Sequence, residues 1–427
     1  MTENDQLAAR RKKKFNKDIS KTEPLNNEIF ISWIFDTLKI KVRYNTILQR
    51  QEYNDGSGWQ NWTDEQDLLW LKVRDAGFEH KDFHTEKLIK EAIAREAYRN
   101  KVNPIREYLL NCPKDWTSWS LDHDILFDGI PASPGRLIAE YIDSPMDKAV
   151  IGEIFDCWLV GCYLHGVDPE HNQWAGATIC PILVGPQGCN KSRFTGWIGQ
   201  AAGKDYYNES IIDAKEKDAR AALAATWIWA ADEFSGTMIK SHSETIKNFL
   251  SRKVITERLP YAKRTLTLPR LTSFIGTDNE ARPLRDTTGN RRFAVIHIER
   301  VRLEELQKVL PLDRLWGGAH HLVSIGQTPM LNKSAQNVVN EVNDDAVERD
   351  QWTEILLEKL KFDVLGKCTT SEIFASILGV CVADQDQAKK RRLGQILNSV
   401  EFKKLGVEQK TERVGEKKIR IWSGCKI

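Results

Sequence analysis

The stretch VGPQGCNKSRF, residues 184–194, decides how the rest of the chain is read. It nearly spells the phosphate-binding pattern G-x-x-x-x-G-K-[S/T]. In that pattern, backbone N–H groups converge on an anion and a lysine reaches its outer phosphates. Gly185, Lys191 and Ser192 stand where the pattern needs them, and Asn190 stands where the last glycine belongs. Asparagine tolerates the left-handed backbone better than most residues, so the loop can survive the change. Restoring the usual residue, Asn190→Gly, is then expected to keep or raise turnover. By itself the match is also what a chance Gly/Pro turn would give. Its flanks speak for the loop: TICPILV reads as a buried strand and RFTGWIGQAAG as a helix, whose N-terminus favours anions. The nucleotide contacts are therefore expected from Gly185, Pro186, Gln187, Gly188, Cys189, Asn190, Lys191, Ser192 and Arg193.

Downstream, TWIWAADEFSG is a second apolar strand ending in two acids, Asp232 and Glu233. Magnesium on a nucleotide takes carboxylate help and keeps several waters. Ser192 and Asp232 are the expected metal ligands, and Glu233 is suited to polarise an attacking water. Acids after a strand also cap helices, and the upstream loop favours the catalytic reading. A third strand, LTSFIGTDNEA, brings Asn279 to a strand tip, where an amide can orient that water. DTTGNRRF follows with Arg291 and Arg292 adjacent; an arginine supplied in trans stabilises charge on a transferring phosphoryl group. A surface pair is the plain alternative, and the sequence does not choose between the two arginines. Strand, loop, helix and further apolar strands with polar C-terminal tips predict an α/β core with a parallel sheet and its site at one edge.

The 427 residues call for two or three domains, and a composition 41% hydrophobic and 29% charged excludes wholesale disorder. A net charge of +2 hides two basic regions: 11 Lys/Arg against 5 Asp/Glu over 252–300, and 12 against 6 over 384–427. Both suggest an anionic partner. No apolar run is expected to span a membrane and the N-terminus is no secretory signal. The eight cysteines form no CxxC pair, which points to a reducing cytosol. Expected divisions are a disordered basic tail (1–25), a mainly helical N-terminal domain (26–144), the nucleotide-binding core (145–330), a polar linker (331–350) and a C-terminal module (351–427). Within the N-terminal domain, residues 40–53 alternate like a strand pair and residues 63–77 read as a helix.

Taken together, GPQGCNKS, WAADE, FLSRKVITERLPYAKRTLTLPRLTSFIGTDN and LRDTTGNRRF resemble the virulence-associated protein E family over roughly residues 40–310. These phage- and mobile-element-encoded ATPases are similar to superfamily 3 helicases of the AAA+ class. The resemblance implies an AAA+ P-loop core in a hexameric ring with ATP and Mg2+ between subunits. It makes Lys191 and Ser192 the Walker A pair, Asp232 and Glu233 the Walker B acids, Asn279 the sensor, and Arg291 or Arg292 the trans finger. Asn190 and Arg193 depart from the family pattern.

Two surfaces are expected to meet nucleic acid. TERLPYAKRTLTLPR carries Lys263 and Arg264 at a basic tip; in superfamily 3 enzymes a hairpin here enters the ring channel and grips phosphates. A solvated loop is the plain alternative. At the C-terminus, two helices and a basic hairpin around Val414-Gly415 read as a winged helix-turn-helix. Lys389, Lys390, Arg391 and Arg392 would lie near a groove. The leading function is an ATP-driven replicative helicase acting on single-stranded and forked DNA. A primase or replication-initiation protein is a further candidate partner. The competing readings are a DNA-binding module that no longer hydrolyses ATP, and an ATPase that remodels or packages DNA without parting strands.

Overall fold

The computed structural model describes residues 35–36, 39–62, 86–240, 243–257, 266–285, 290–347, 350–414 and 417–427. Its centre is a sheet of five strands: β1 (Cys180–Val184), β2 (Tyr207–Glu209), β3 (Ile228–Ala231), β4 (Ser273–Asp278) and β5 (Phe293–His297). The order across the sheet is β5-β1-β4-β3-β2, and every pairing is parallel. Helices cover both faces of such a sheet, so its strands are apolar runs rather than alternating ones. All residues of β1, β3 and β4 are buried. Register then fixes the site. Val184 pairs with Asp278, and Ala231 with Gly276, so the loops after β1, β3 and β4 leave the same edge.

The helix Lys148–Val167 begins where Asp147 Oδ1 accepts from Ala149 N at 2.7 Å. By length and composition it could cross a membrane, against expectation, yet most of it is buried in the protein. Trp158 Nε1 donates to Phe274 O of β4 at 2.7 Å, which ties the helix to the sheet. The short helix Pro134–Glu140 crosses it at contact. A Cβ on Gly135 would fall 2.3 Å from Gly152 O, so only glycine fits, and Gly135 N donates to the buried Asp156 Oδ1 at 2.7 Å.

The expected strand pair is present as Lys41–Asn45 and Arg50–Asn54, and Trp59–Asn61 and Lys101–Val102 extend it to a four-stranded sheet. Among the described residues, the N-terminal region thus sets a small sheet beside its helices. The expected tail and the helix at 63–77 lie outside the described residues. A polar contact docks this sheet on the core: Asn45 Nδ2 donates to Tyr206 Oη and Glu52 Oε1, both at 2.8 Å, and Arg50 pairs with Asp205 at 2.5 Å. Ile105, Leu109 and Trp116 share one apolar core with Trp158 and Ile275, so the expected boundary at 144 falls inside continuous packing.

The stretch expected as a linker is instead mostly the helix Lys333–Asp345, capped by Asn332 Oδ1 accepting from Ala335 N. Its buried Asn343 satisfies the free edge of β5: Oδ1 accepts from Val295 N (3.1 Å), and Nδ2 donates to Phe293 O (2.9 Å) and Asn290 O (3.2 Å). An edge strand needs such cover. Beyond it, the helix Gln351–Lys359, strand Lys361–Thr369, helices Thr370–Ser376, Gln387–Leu397 and Val400–Lys404, and strands Glu408–Val414 and Lys417–Lys426 enclose their own core of Leu356, Phe374, Leu397, Phe402 and Trp422. Thr369 and Glu372 form a capping box, and Asp386 caps the basic helix.

Burial lifts the Asp156 carboxyl from 3.8 to about 7. The native state therefore holds a proton that the unfolded chain releases above about pH 4. That contribution is complete below the unfolded value and is lost as pH rises toward 7. Between pH 4 and 7 the wild type should lose on the order of 4 kcal/mol relative to Asp156→Asn, which has no proton to release. Denaturation across this range measures the difference, and parallel curves for the two proteins would refute the assignment.

Candidate functional site

The loop between β1 and the helix Lys191–Gly199 is shaped by three residues. Gly185 passes so close to the next segment that a Cβ would lie 2.3 Å from Ile298 O, and its N–H donates to Asp278 O at 3.1 Å. Gly188 takes φ +82°. Asn190 takes φ 70°, ψ 17°, the left-handed geometry a glycine would supply. The asparagine does more than tolerate this backbone. Its Nδ2 donates to Val301 O at 3.0 Å, while Val301 N donates to Cys189 O at 2.9 Å. Its Oδ1 accepts from Arg193 Nη1 at 3.1 Å, and Arg193 also pairs with Glu304 at 2.6 Å. The loop is thereby laced to the segment after β5.

Lys191 is 7% exposed. Its Nζ donates to Gly185 O (2.7 Å), Pro186 O (2.8 Å) and Asn279 Oδ1 (3.0 Å). Because β4 lies between β1 and β3, Asn279 at its tip sits between the loop lysine and the acids. Asp232 Oδ1 accepts from Thr277 Oγ1 at 2.5 Å. Glu233 is exposed with φ 48°, an uncommon backbone for a residue with a side chain and one that concentrates at functional sites. Asp278 anchors the turn that carries Glu233, accepting from Ser235 N at 2.5 Å and Glu280 N at 2.8 Å. Lys191, Ser192, Asp232, Glu233 and Asn279 line one cavity of about 340 Å³ with Thr277 and Asp278.

These donors suit a magnesium-bound polyphosphate. A hydroxyl and a carboxylate share a cavity with an ammonium at a helix N-terminus, and such a magnesium needs few protein ligands. Among the described residues, no group of three or more His, Cys, Asp or Glu is arranged to hold a metal by protein alone.

Other expected site residues lie elsewhere. Arg291 and Arg292 precede β5, whose first residue pairs with the first residue of β1, so they stand at the opposite end of the sheet, about 13 Å from the loop edge. Arg291 is exposed, and Arg292 Nε donates to Ser251 Oγ at 2.6 Å. Lys263 and Arg264 lie outside the described residues; the flanking strands Val254–Glu257 and Leu266–Pro269 pair antiparallel, as a hairpin requires. On the basic C-terminal helix, Lys390 and Arg391 are exposed, and Lys389 Nζ donates to Asp384 O at 2.8 Å. Arg392 is exposed too, and is bidentate to Asp350 at 2.6 and 2.7 Å and stacked over Trp352. That contact closes the module on itself. Thr277 and Asp278 were missed in the sequence, although the quoted GTDN contains both.

Residues 136–348 match the family model described as the virulence-associated protein E-like domain. Among curated proteins no relative matches. Among solved structures, the chain is similar to the A form apo structure of the NrS-1 C terminal region (residues 305–718). The identity is 14%, with 93% of this chain and 99% of that chain covered and a TM-score of 0.45. A second apo structure of that region matches with 14% identity, 94% and 100% coverage and a TM-score of 0.42.

The two roles of Asn190 separate by substitution. Asn190→Gly loses the side-chain bonds but relieves the left-handed backbone, and its stability should stay within about 1 kcal/mol of wild type. Asn190→Ala loses the bonds and keeps the strain, so it should cost roughly 2–3 kcal/mol. Chemical denaturation decides: equal losses in both variants would contradict the backbone role.

Proposed function

The chain belongs to the virulence-associated protein E family through residues 136–348, and from that premise we propose that it is a replicative helicase of a phage or mobile element, driven by magnesium-dependent ATP hydrolysis. The observation that carries this reading is the single cavity that gathers Lys191, Ser192, Asp232, Glu233 and Asn279 from three strand ends. The loop amides bind the phosphates, and the Lys191 ammonium stabilises charge on the outer two. Ser192 and Asp232 would hold the magnesium, which would neutralise part of the triphosphate charge. Glu233 accepts a hydrogen bond from the attacking water and polarises it, while the Asn279 amide orients it. Thr277 keeps Asp232 aimed at the cavity.

The distance of the arginine turn from its own loop edge supports a ring in which each subunit completes its neighbour's site. The strand order, with the Asn279 strand between the loop strand and the acidic strand, supports an AAA+ core. The C-terminal order of helix, strand, helices and hairpin supports a winged helix, with Lys389, Lys390 and Arg391 toward DNA. The antiparallel strands between β3 and β4 support a strand-gripping element, with Lys263 and Arg264 in the sequence that joins them.

Phosphate release measured with and without single-stranded DNA tests the proposal. DNA should stimulate the wild type, and Lys191→Ala should lose at least about 100-fold. Hydrolysis that persists in Lys191→Ala would remove the loop assignment. A wild type that hydrolyses ATP yet leaves a forked duplex intact would reduce the protein to a DNA-remodelling ATPase.

A further inference from the structure

The two adjacent arginines of the turn Asn290–Arg292 have different surroundings, and the difference bears on how a motor of the kind proposed above would work. We propose that Arg291 alone reaches the nucleotide of a second copy of this chain, and that Arg292 is a positioning residue linking the arginine turn to the root of the hairpin through Ser251. The inference rests on the ATPase reading and adds a route by which one subunit's nucleotide is felt at the DNA-gripping hairpin of the next.

Arg291 is exposed, whereas Arg292 is partly buried with Nε on Ser251 Oγ at 2.6 Å. To serve a neighbour, Arg292 would have to give up that bond; Arg291 would not. Ser251 is oriented to receive it, because its own hydroxyl proton goes to Lys247 O at 2.7 Å in the last turn of the helix Ser243–Leu250. Three residues later the first hairpin strand begins.

The root around Ser251 is rigid on its other sides. Arg270, which follows the second hairpin strand, is 1% exposed. Its Nη1 donates to Leu250 O and to Arg252 O (3.4 Å), its Nε to Thr272 O (2.7 Å), and its backbone N–H to Lys253 O (3.0 Å). Residues 250–253 are therefore bound to both ends of the hairpin. Gly176 closes the remaining side, since a Cβ there would lie 2.6 Å from Ser251 O. The arginine turn is equally fixed: Asn343 Nδ2 holds Asn290 O and Phe293 O, and its Oδ1 accepts from Val295 N on β5. Two stiff bodies thus meet at the Arg292–Ser251 bond. A pull on Arg291 by a neighbour's phosphates shifts the turn as a unit, and the shift passes to both hairpin strands together.

The test uses the full chain, with assembly checked by mass photometry and phosphate release read with and without single-stranded DNA. Ser251→Ala should keep DNA-free hydrolysis within about twofold of wild type yet lose most of the stimulation by DNA. Arg292→Ala should lose the same stimulation, and the double variant should lose no more than either, as expected of two groups in one contact. Arg291→Ala should fall roughly 100-fold without DNA and recover in rings mixed with Glu233→Gln. Normal DNA stimulation in Ser251→Ala overturns the coupling. An Arg292→Ala protein that recovers on mixing with Glu233→Gln, as Arg291→Ala should, overturns the division of labour. A wild type that hydrolyses no ATP overturns the motor reading itself and this proposal with it, and is distinguished from both by the absence of any baseline.

Discussion

The bonds of one buried ammonium depend on the order of the sheet, and the site depends on those bonds. Lys191 Nζ joins its own loop, through Gly185 O and Pro186 O, to Asn279 at the tip of β4. A charge held away from water must be satisfied by hydrogen bonds, and here carbonyl and amide oxygens supply them. The contact is possible only because β4 is the neighbour of β1, and β3 is then the neighbour of β4. Loop, amide and acids consequently emerge side by side. Their order in the chain, with Asp232 about 40 residues after Ser192 and Asn279 later still, gives no hint of this adjacency.

The loop itself is held from behind. Gly185 lies against Ile298, Cys189 and Asn190 exchange bonds with Val301, and Arg193 reaches Glu304. A phosphate cradle works by presenting N–H groups already aimed at the anion, so that little ordering is left to binding. In this chain the segment that follows the last strand of the sheet supplies that rigidity, and the asparagine in place of glycine belongs to the arrangement rather than being a defect in it.

Much of this was legible in the sequence, and what was not has physical reasons. The buried strands announced themselves as apolar runs ending in polar residues, which is what a sheet covered on both faces produces. The left-handed turn at Asn190 followed from its residue type. The helix Lys333–Asp345 was hidden because only a narrow stripe, Ala335, Val339 and Asn343, is buried in an otherwise polar segment. The basic run at 389–392 looked uniform, yet helical geometry brings Arg392 to Asp350, 42 residues away, a partner that only the fold supplies. Thr277 and Asp278 were passed over because their importance lies in what they hold, Asp232 and the turn after it, and such partners are set by strand register alone.

The central claim is that the loop after β1 cradles a triphosphate with the acids of β3 facing it. Backbone hydrogen exchange, followed by mass spectrometry with and without a non-hydrolysable ATP analogue and magnesium, tests it most directly. The account predicts slower exchange concentrated in residues 186–193, with a second, smaller effect at 232–236, and no slowing at the loop when magnesium and analogue are replaced by magnesium alone. Unchanged exchange across residues 186–193 at saturating analogue, or protection confined to other parts of the chain, would contradict it.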